Sequence, residues 1–441
     1  MSHQQPLSTA APAKARAQVP LDDAPFKPIH ALATACVLGG AAVDGYVLGI
    51  IGSGIALAKN ELALTALSQG LIASSALIGV FIGGLIFGSL ADRYGRRPVF
   101  TWNLIAFVVL SLLQLFTVGV WDLVALRLAL GLAIGVEYAV GTAVLAEFSR
   151  KKGRGVLLGN FAVFWMVGFV AAFMVGLLWS GDNWRLLLAT SAVPAFIVFV
   201  LRSRLPESPM WLKARGRDNE AEAVVLKHYG EGYVVSQVKL EQKNAKVSDL
   251  FTRQTWRPHL YSGLFWFCQV GPFFAIFTFL TPVFNGLGVT DAVTVEIWLN
   301  VVQLAGAVFG LYLLHKLTRR GFVNWTFALM FLTLLSLGLF GNAPLWLTVS
   351  LFAFYLFMAP AANNIQYVYP SEIFDTRVRG TGVGFSAAFS RISAAGATYL
   401  FPLLLAELGT SATLLLVSAF PLLGLILSIL WAPETKEKTL R

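Results

Sequence analysis

The sequence predicts an all-α membrane protein of twelve transmembrane helices in two parallel six-helix halves. Composition, the spacing of apolar runs and an internal repeat lead to that class. Of the 441 residues, 57% are hydrophobic and 13% charged, against about 25% charged in an ordinary soluble domain. So few charges cannot coat a soluble chain this long, so lipid must solvate most of its surface. About 20 predominantly apolar residues cross a hydrocarbon core. Twelve such runs can be read: 29–52, 68–90, 99–119, 121–146, 155–179, 184–203, 258–286, 291–315, 321–341, 345–369, 380–405 and 410–431. Long runs without alternation suit helices, which satisfy their own backbone groups in lipid, and do not suit barrel strands.

The repeat sets the organisation. Glu147 precedes Arg154-Gly155 just before the fifth run, and Glu372 precedes Arg379-Gly380 just before the eleventh, an offset of 225. Arg96-Arg97 finds Arg319-Arg320 at offset 223, and Pro206-Glu207-Ser208 finds Pro433-Glu434-Thr435 at 227. Three pairs at nearly one offset divide the chain. A disordered tail (1–28) and a first half (29–203) are followed by a charged linker (204–257), a second half (258–431) and a short tail (432–441). Within the linker, 209–229 has the composition of one or more amphipathic helices. Two such halves imply a binding site between them near mid-membrane, opened alternately to either side.

Charge gives orientation. The segments on one side of the predicted spans hold 29 of the 33 Lys and Arg residues, which puts both termini in the cytoplasm. The net charge of +10 is thus a topogenic signal beside anionic inner-leaflet lipid, and not a nucleic-acid footprint. No apolar core of a cleaved signal precedes the first run. Cys36 and Cys268 fall within runs, so no disulfide is expected. The five His residues have no ligand-like spacing, and no Gly-rich phosphate loop occurs. These absences predict neither an enzyme nor an ATP-driven pump, no cofactor, and a proton gradient as the energy source. A bacterial inner membrane is the simplest setting and a monomer the default.

Burying a charge at mid-bilayer costs about 2.5–3.5 kcal/mol on insertion scales, so each one asks for a reason. Asp44 lies roughly 22 Å up the first span from the cytoplasm and Arg127 roughly 9 Å down the fourth from outside, depths that match. They are expected to pair, with Asp44 taking a proton when Arg127 swings away; the plainer alternative is a static ion pair. Glu137, in the cytoplasmic third, is the rival proton site. Arg391 lies roughly 16 Å into the eleventh span with no acid of the second half at its depth. Its planar fork suits a substrate carboxylate, and a cross-half pair with Glu137 or Asp44 is the alternative. Gln269, Asn300, Gln303 and Trp165 complete an amide and aromatic lining that suits a small, aromatic-type carboxylate. Asn363, Asn364, Gln366 and Tyr367 crowd the inner end of the tenth span and read as a cytoplasmic exit. Glu147 with Arg154, and Glu372 with Arg379, are candidates for a cytoplasmic gate holding the halves together; anchoring of helix ends is the alternative.

At these motifs the chain resembles a known family. Asp92-Arg93-Tyr94-Gly95-Arg96-Arg97 is similar to the signature loop between spans 2 and 3 of the major facilitator superfamily, which adds Asp92, Arg93 and Arg96 to the gate candidates. Pro206-Glu207-Ser208-Pro209-Met210-Trp211-Leu212 and Pro433-Glu434-Thr435-Lys436 resemble sugar-porter signatures. Gly135-Val136-Glu137-Tyr138, Glu147-Phe148 and Ser390-Arg391-Ile392 look closer to the metabolite:proton symporter branch, which includes aromatic-acid and nicotinate carriers. The resemblance implies that an acid of span 1 answers Arg127, although Asp44 stands three residues before the usual place, now Val47. It also implies that a span-11 Arg at the position of Arg391 serves substrate carboxylates. Two departures stand out. Lys316-Leu317-Thr318-Arg319-Arg320 lacks the acidic residue of the signature, and Gln269-Val270-Gly271-Pro272 replaces the paired glutamines of sugar carriers. The expectation is proton-coupled uptake of a small organic anion by alternating access. Sugar or polyol symport, proton-driven efflux and a non-transporting membrane sensor are the alternatives.

Overall fold

The computed structural model describes residues 19–150, 154–235, 250–286, 292–340, 343–366, 368–374 and 378–436. Of the tail 1–28 expected to be disordered, the first eighteen residues lie outside these, as do part of the linker and Tyr367, whereas residues 19–28 are ordered because Leu21 and Ala24 are buried and Val19–Pro20 pairs with another strand. The first half has six spans. They are Pro28–Glu61, Ala66–Tyr94, Arg96–Leu113, Val120–Val136 continuing to Phe148, Arg154–Leu177, and the broken pair Trp184–Ala189 and Ala192–Arg202. Spans 7 to 10 are Trp256–Thr278, Ala292–Lys316, Arg319–Leu339 and Leu345–Asn363. Spans 11 and 12 form Arg379–Trp431, broken at Gly409, whose φ of 76° only glycine adopts without strain. Span 1 runs nine residues beyond the apolar stretch 29–52, because a helix need not stop where the hydrocarbon does.

Helix pairing carries the repeat into three dimensions. Spans 1 and 5, 2 and 4, and 3 and 6 pack in the first half; 7 and 11, 8 and 10, and 9 and 12 pack in the second. Every pair is matched by one six spans later. Without a hydrophobic drive between helices in lipid, close backbone approach at small residues supplies the attraction. A Cβ on Gly45 of span 1 would run into the carbonyl of Trp165 in span 5, and one on Gly168 into that of Ala42. Gly45→Val is expected to force these helices apart at a cost of about 2–3 kcal/mol, read as a lower melting temperature in detergent, whereas Gly384→Ala, with open space around it, should be silent.

The linker forms two short helices, Pro209–Ala214 and Asp218–His228, on the face that also carries the start of span 1 and the end of span 12. Val19–Pro20 pairs in parallel with Tyr233–Val234, tying the start of span 1 to it. On this linker face each half holds the same ionic knot. Glu207 accepts the backbone N–H groups of Arg96 and Arg97, each at 3.1 Å, while Arg96 reaches Glu147 at 3.3 Å. In the second half Glu434 accepts from Arg319 (3.0 Å) and Arg320 (3.1 Å), and Arg319 pairs with Glu372 at 2.9 Å. Both glutamates cap a helix N-terminus, where the dipole favours an anion. Burial pushes the Glu434 carboxyl up, but the N–H groups of Lys436, Arg319 and Arg320 outweigh it and hold it below the usual range.

These knots take up the gate candidates Glu147, Glu372 and Arg96. Glu147 meets Arg96 and Glu372 meets Arg319, so both acids are tied inside their own half. The reason is proximity: the arginine that opens span 3 or 9 lies beside the end of span 4 or 10. Arg93 stacks on neighbouring Tyr94 at 5.4 Å. The side chains of Asp92, Arg154 and Arg379 lie outside the described residues.

Candidate substrate and proton site

A cavity of about 590 Å³ enters from the linker face between spans 2 and 4 of one half and span 11 of the other. Its walls are mostly small: Gly84, Gly88, Ala139, Ala143, Gly384 and Ala387. It runs from Arg96 and Ser371 inward to Tyr138 and Arg391. Beyond these two lies a central pocket of only about 30 Å³, lined by Trp165, Phe273, Phe274, Asn363 and Gln366. On the opposite face the halves touch. A Cβ on Gly52 of span 1 would lie 2.7 Å from the Thr278 carbonyl of span 7, and one on Gly70 of span 2 would meet that of Tyr399 in span 11. The molecule is thus open toward the linker face and sealed on the other.

Arg391 is 5% exposed. Its guanidinium stands over the rings of Tyr138 (4.8 Å) and Phe274 (5.9 Å), and among the described residues no acid pairs with it. Aromatic faces hold a guanidinium by its flat side and leave the N–H edge for an in-plane partner. Trp165 stacks on Phe169 at 5.3 Å, and its buried Nε1 has no hydrogen-bond partner. Trp165 and Arg391 therefore meet in one pocket, as the sequence suggested.

The amides are partly rearranged. Asn363 and Gln366, expected at an exit, line the central pocket instead. Pro360 inside span 10 removes one helical hydrogen bond, and the helix tightens into a 3₁₀ turn over Asn364–Gln366. Gln366 donates to Gln269 at 2.8 Å and to Asn363 at 2.9 Å, and Gln269 donates to the Ala362 carbonyl at 3.1 Å. Gln269 thus stands one hydrogen bond behind the lining. Asn300 and Gln303 are buried on span 8 and line neither cavity.

The expected Asp44–Arg127 pair does not form. Arg127 donates to the Val47 carbonyl at 2.8 Å. Three residues along a helix are a rise of about 4.5 Å and a turn of about 300°, so an acid at 44 does not stand where one at 47 would. Asp44 is fully buried and neither of its oxygens has a hydrogen-bond partner.

Glu137 is fully engaged. Arg202, the last residue of span 6, grips it bidentately at 2.6 and 2.9 Å, and Asn103 donates to it at 2.9 Å. The same guanidinium donates to the carbonyls of Phe100 (2.8 Å) and Cys36 (2.9 Å) and lies 3.4 Å over the Phe100 ring. Both side chains of the pair are wholly buried. One knot therefore joins spans 1, 3, 4 and 6, and no cross-half pair of Glu137 with Arg391 forms. Arg202 escaped the sequence reading because a basic residue at the inner end of a run passes for a topogenic anchor. Glu137 also opens a π-helical turn, Glu137–Gly141, inside span 4, a local widening frequent at functional sites.

Comparison with known proteins agrees with this architecture. Residues 32–441 match the family described as sugar (and other) transporter. The chain is 37% identical to the inner membrane metabolite transport protein YgcS of Escherichia coli over 95% of its length and 94% of that protein's. It is 27% identical to a D-xylose transporter of Levilactobacillus brevis, covering 84% and 85%. Among solved structures, a partially occluded inward-open form of the E. coli xylose transporter XylE superposes with a TM-score of 0.77 at 20% identity, covering 94% of this chain and all of that one; that likeness speaks for the fold. This chain is an integral membrane protein of the sugar (and other) transporter family, within the major facilitator superfamily.

Proposed function

We propose that this protein is a proton-coupled carrier taking a small organic anion across a bacterial inner membrane, with the linker face and both termini in the cytoplasm. The observation that carries the reading is Arg391, a buried cation between the halves, stacked on aromatic rings with no acid partner among the described residues. A carboxylate bound along its N–H edge would neutralise it, and Trp165 Nε1 and the Gln366–Asn363 amides would orient the rest of the solute. Asp44 is the group that takes the proton. A carboxyl buried without a donor or a counter-ion in contact is tolerable only when neutral, whereas Glu137 already has Arg202. Arriving from outside, proton and anion together leave the interior with no added net charge, and the halves can rock past the closed state.

A second reading is symport of a neutral sugar, favoured by the family match and by the fold shared with XylE. Proteoliposomes separate the two. Small aromatic and aliphatic carboxylates, each beside its alcohol analogue, are added and internal pH is followed. A carboxylate should drive proton entry while its alcohol does not. Arg391→Gln should raise the half-saturating concentration about 10- to 100-fold, since a hydrogen bond to a charged group contributes about 1.5–3 kcal/mol. Proton entry driven by sugars alone, with Arg391→Gln unimpaired, would hand the site to the sugar reading.

A further inference from the structure

Tyr138 and Arg391 are the two residues that line both the wide cavity and the central pocket. They come from different halves, Tyr138 from span 4 and Arg391 from span 11, and face each other at 4.8 Å as ring and cation. We propose that Tyr138 is the inner gate of this carrier: its ring, held on Arg391, closes the central pocket toward the linker face while the wider vestibule outside it already stands open. The proposal rests on the carrier reading above for alternating access, but not on the solute being an anion.

Three features support the assignment. Much of the vestibule wall outside the pair is glycine and alanine from spans 2, 4 and 11, with Phe81 and Trp266 as its other aromatic residues, and of all these only Tyr138 and Arg391 also line the central pocket. The central pocket behind the pair has room for no more than a few waters, and it meets the vestibule at Tyr138 and Arg391. Tyr138 also sits on the π-helical turn Glu137–Gly141, where the extra residue per turn gives the backbone slack that a regular helix lacks. The contact is self-limiting. A cation–π pair of this kind biases an open–closed equilibrium by about tenfold, enough to hold an empty pocket shut and weak enough for thermal opening. An anion taking the edge of Arg391 weakens its hold on the ring. Because Glu137 precedes Tyr138 on the same turn and is fixed by Arg202, the ring swings from an anchored base.

The test needs no solute. In a background with the buried Cys36 and Cys268 replaced by alanine, Ala162→Cys reports the central pocket and Ala143→Cys the vestibule. Both are labelled with a membrane-impermeant maleimide in vesicles whose linker face is exposed. Tyr138→Leu should speed labelling at position 162 about tenfold and leave position 143 unchanged. Tyr138→Phe, which keeps the ring, should label at the parental rate, and Tyr138→Met should behave as leucine if the latter does not assemble. Equal rates at 162 for the ring-bearing and ring-less variants would overturn the gate. So would a parallel rise at 143, which reports general loosening. Since no transport is measured, this result and the solute's identity stand or fall separately.

Discussion

Arg202→Leu is expected to be the most damaging single substitution in the first half. It leaves the Glu137 carboxylate in a site with no solvent contact and strands the Phe100 and Cys36 carbonyls. Breaking one side of a buried pair costs about 3–5 kcal/mol, because the remaining charge is uncompensated. By the size scaling of thermal unfolding, that corresponds to a fall of roughly 5–10 °C in the melting temperature in detergent. Arg202→Lys should be intermediate: an ammonium keeps the charge, but its three donors cannot serve two carboxylate oxygens and two carbonyls in one plane. The decisive comparison is Arg202→Leu with Glu137→Leu. Replacing both partners by apolar groups removes the stranded charge, so the double variant should melt above Arg202→Leu alone. A double variant at or below the sum of the singles would mean that the carbonyls, and not the pair, dominate the site.

How this knot stayed hidden shows what a sequence of this kind makes legible. Apolar runs, basic asymmetry and the offset of about 225 residues are statements about averages, and averages survive local detail; hence the twelve spans and two halves. Depth along a helix is nearly as good, since each residue adds about 1.5 Å, and it brought Trp165 and Arg391 into one pocket. Azimuth is the weak coordinate. Matching depths put Asp44 opposite Arg127, but Arg127 meets the Val47 carbonyl and both oxygens of Asp44 are buried without a hydrogen-bond partner. Helix irregularity is harder still. The π-turn that carries Tyr138, and the 3₁₀ turn Asn364–Gln366 after Pro360 that carries Gln366, each reset the phase of the residues after them. The ionic knots of the linker face are hard to read from sequence for another reason. Arg96 and Arg319, which Glu147 and Glu372 meet, are more than fifty residues away in sequence and adjacent in space.

The separation of Asp44 from Glu137 makes the proton pathway testable by its energetics. One proton carried with one monoanion moves no net charge, so membrane potential should not drive accumulation and pH difference should. Each pH unit, about 1.4 kcal/mol, sustains an accumulation of about tenfold. Asp44→Asn keeps the size of the side chain and removes the acid, so accumulation should fall to about unity at any pH difference. Exchange of labelled for unlabelled solute across the membrane should continue, because Arg391 and the aromatic pocket are untouched. Glu137→Gln should behave differently, lowering stability through Arg202 before it alters coupling. Solute accumulation under a pH difference, repeated with a potassium diffusion potential, reads all of this in one preparation. Persistent accumulation by Asp44→Asn would move the proton to another group. Accumulation that rises steeply with an inside-negative potential would mean that net positive charge enters with the solute, and carriage of one proton with one monoanion would fall.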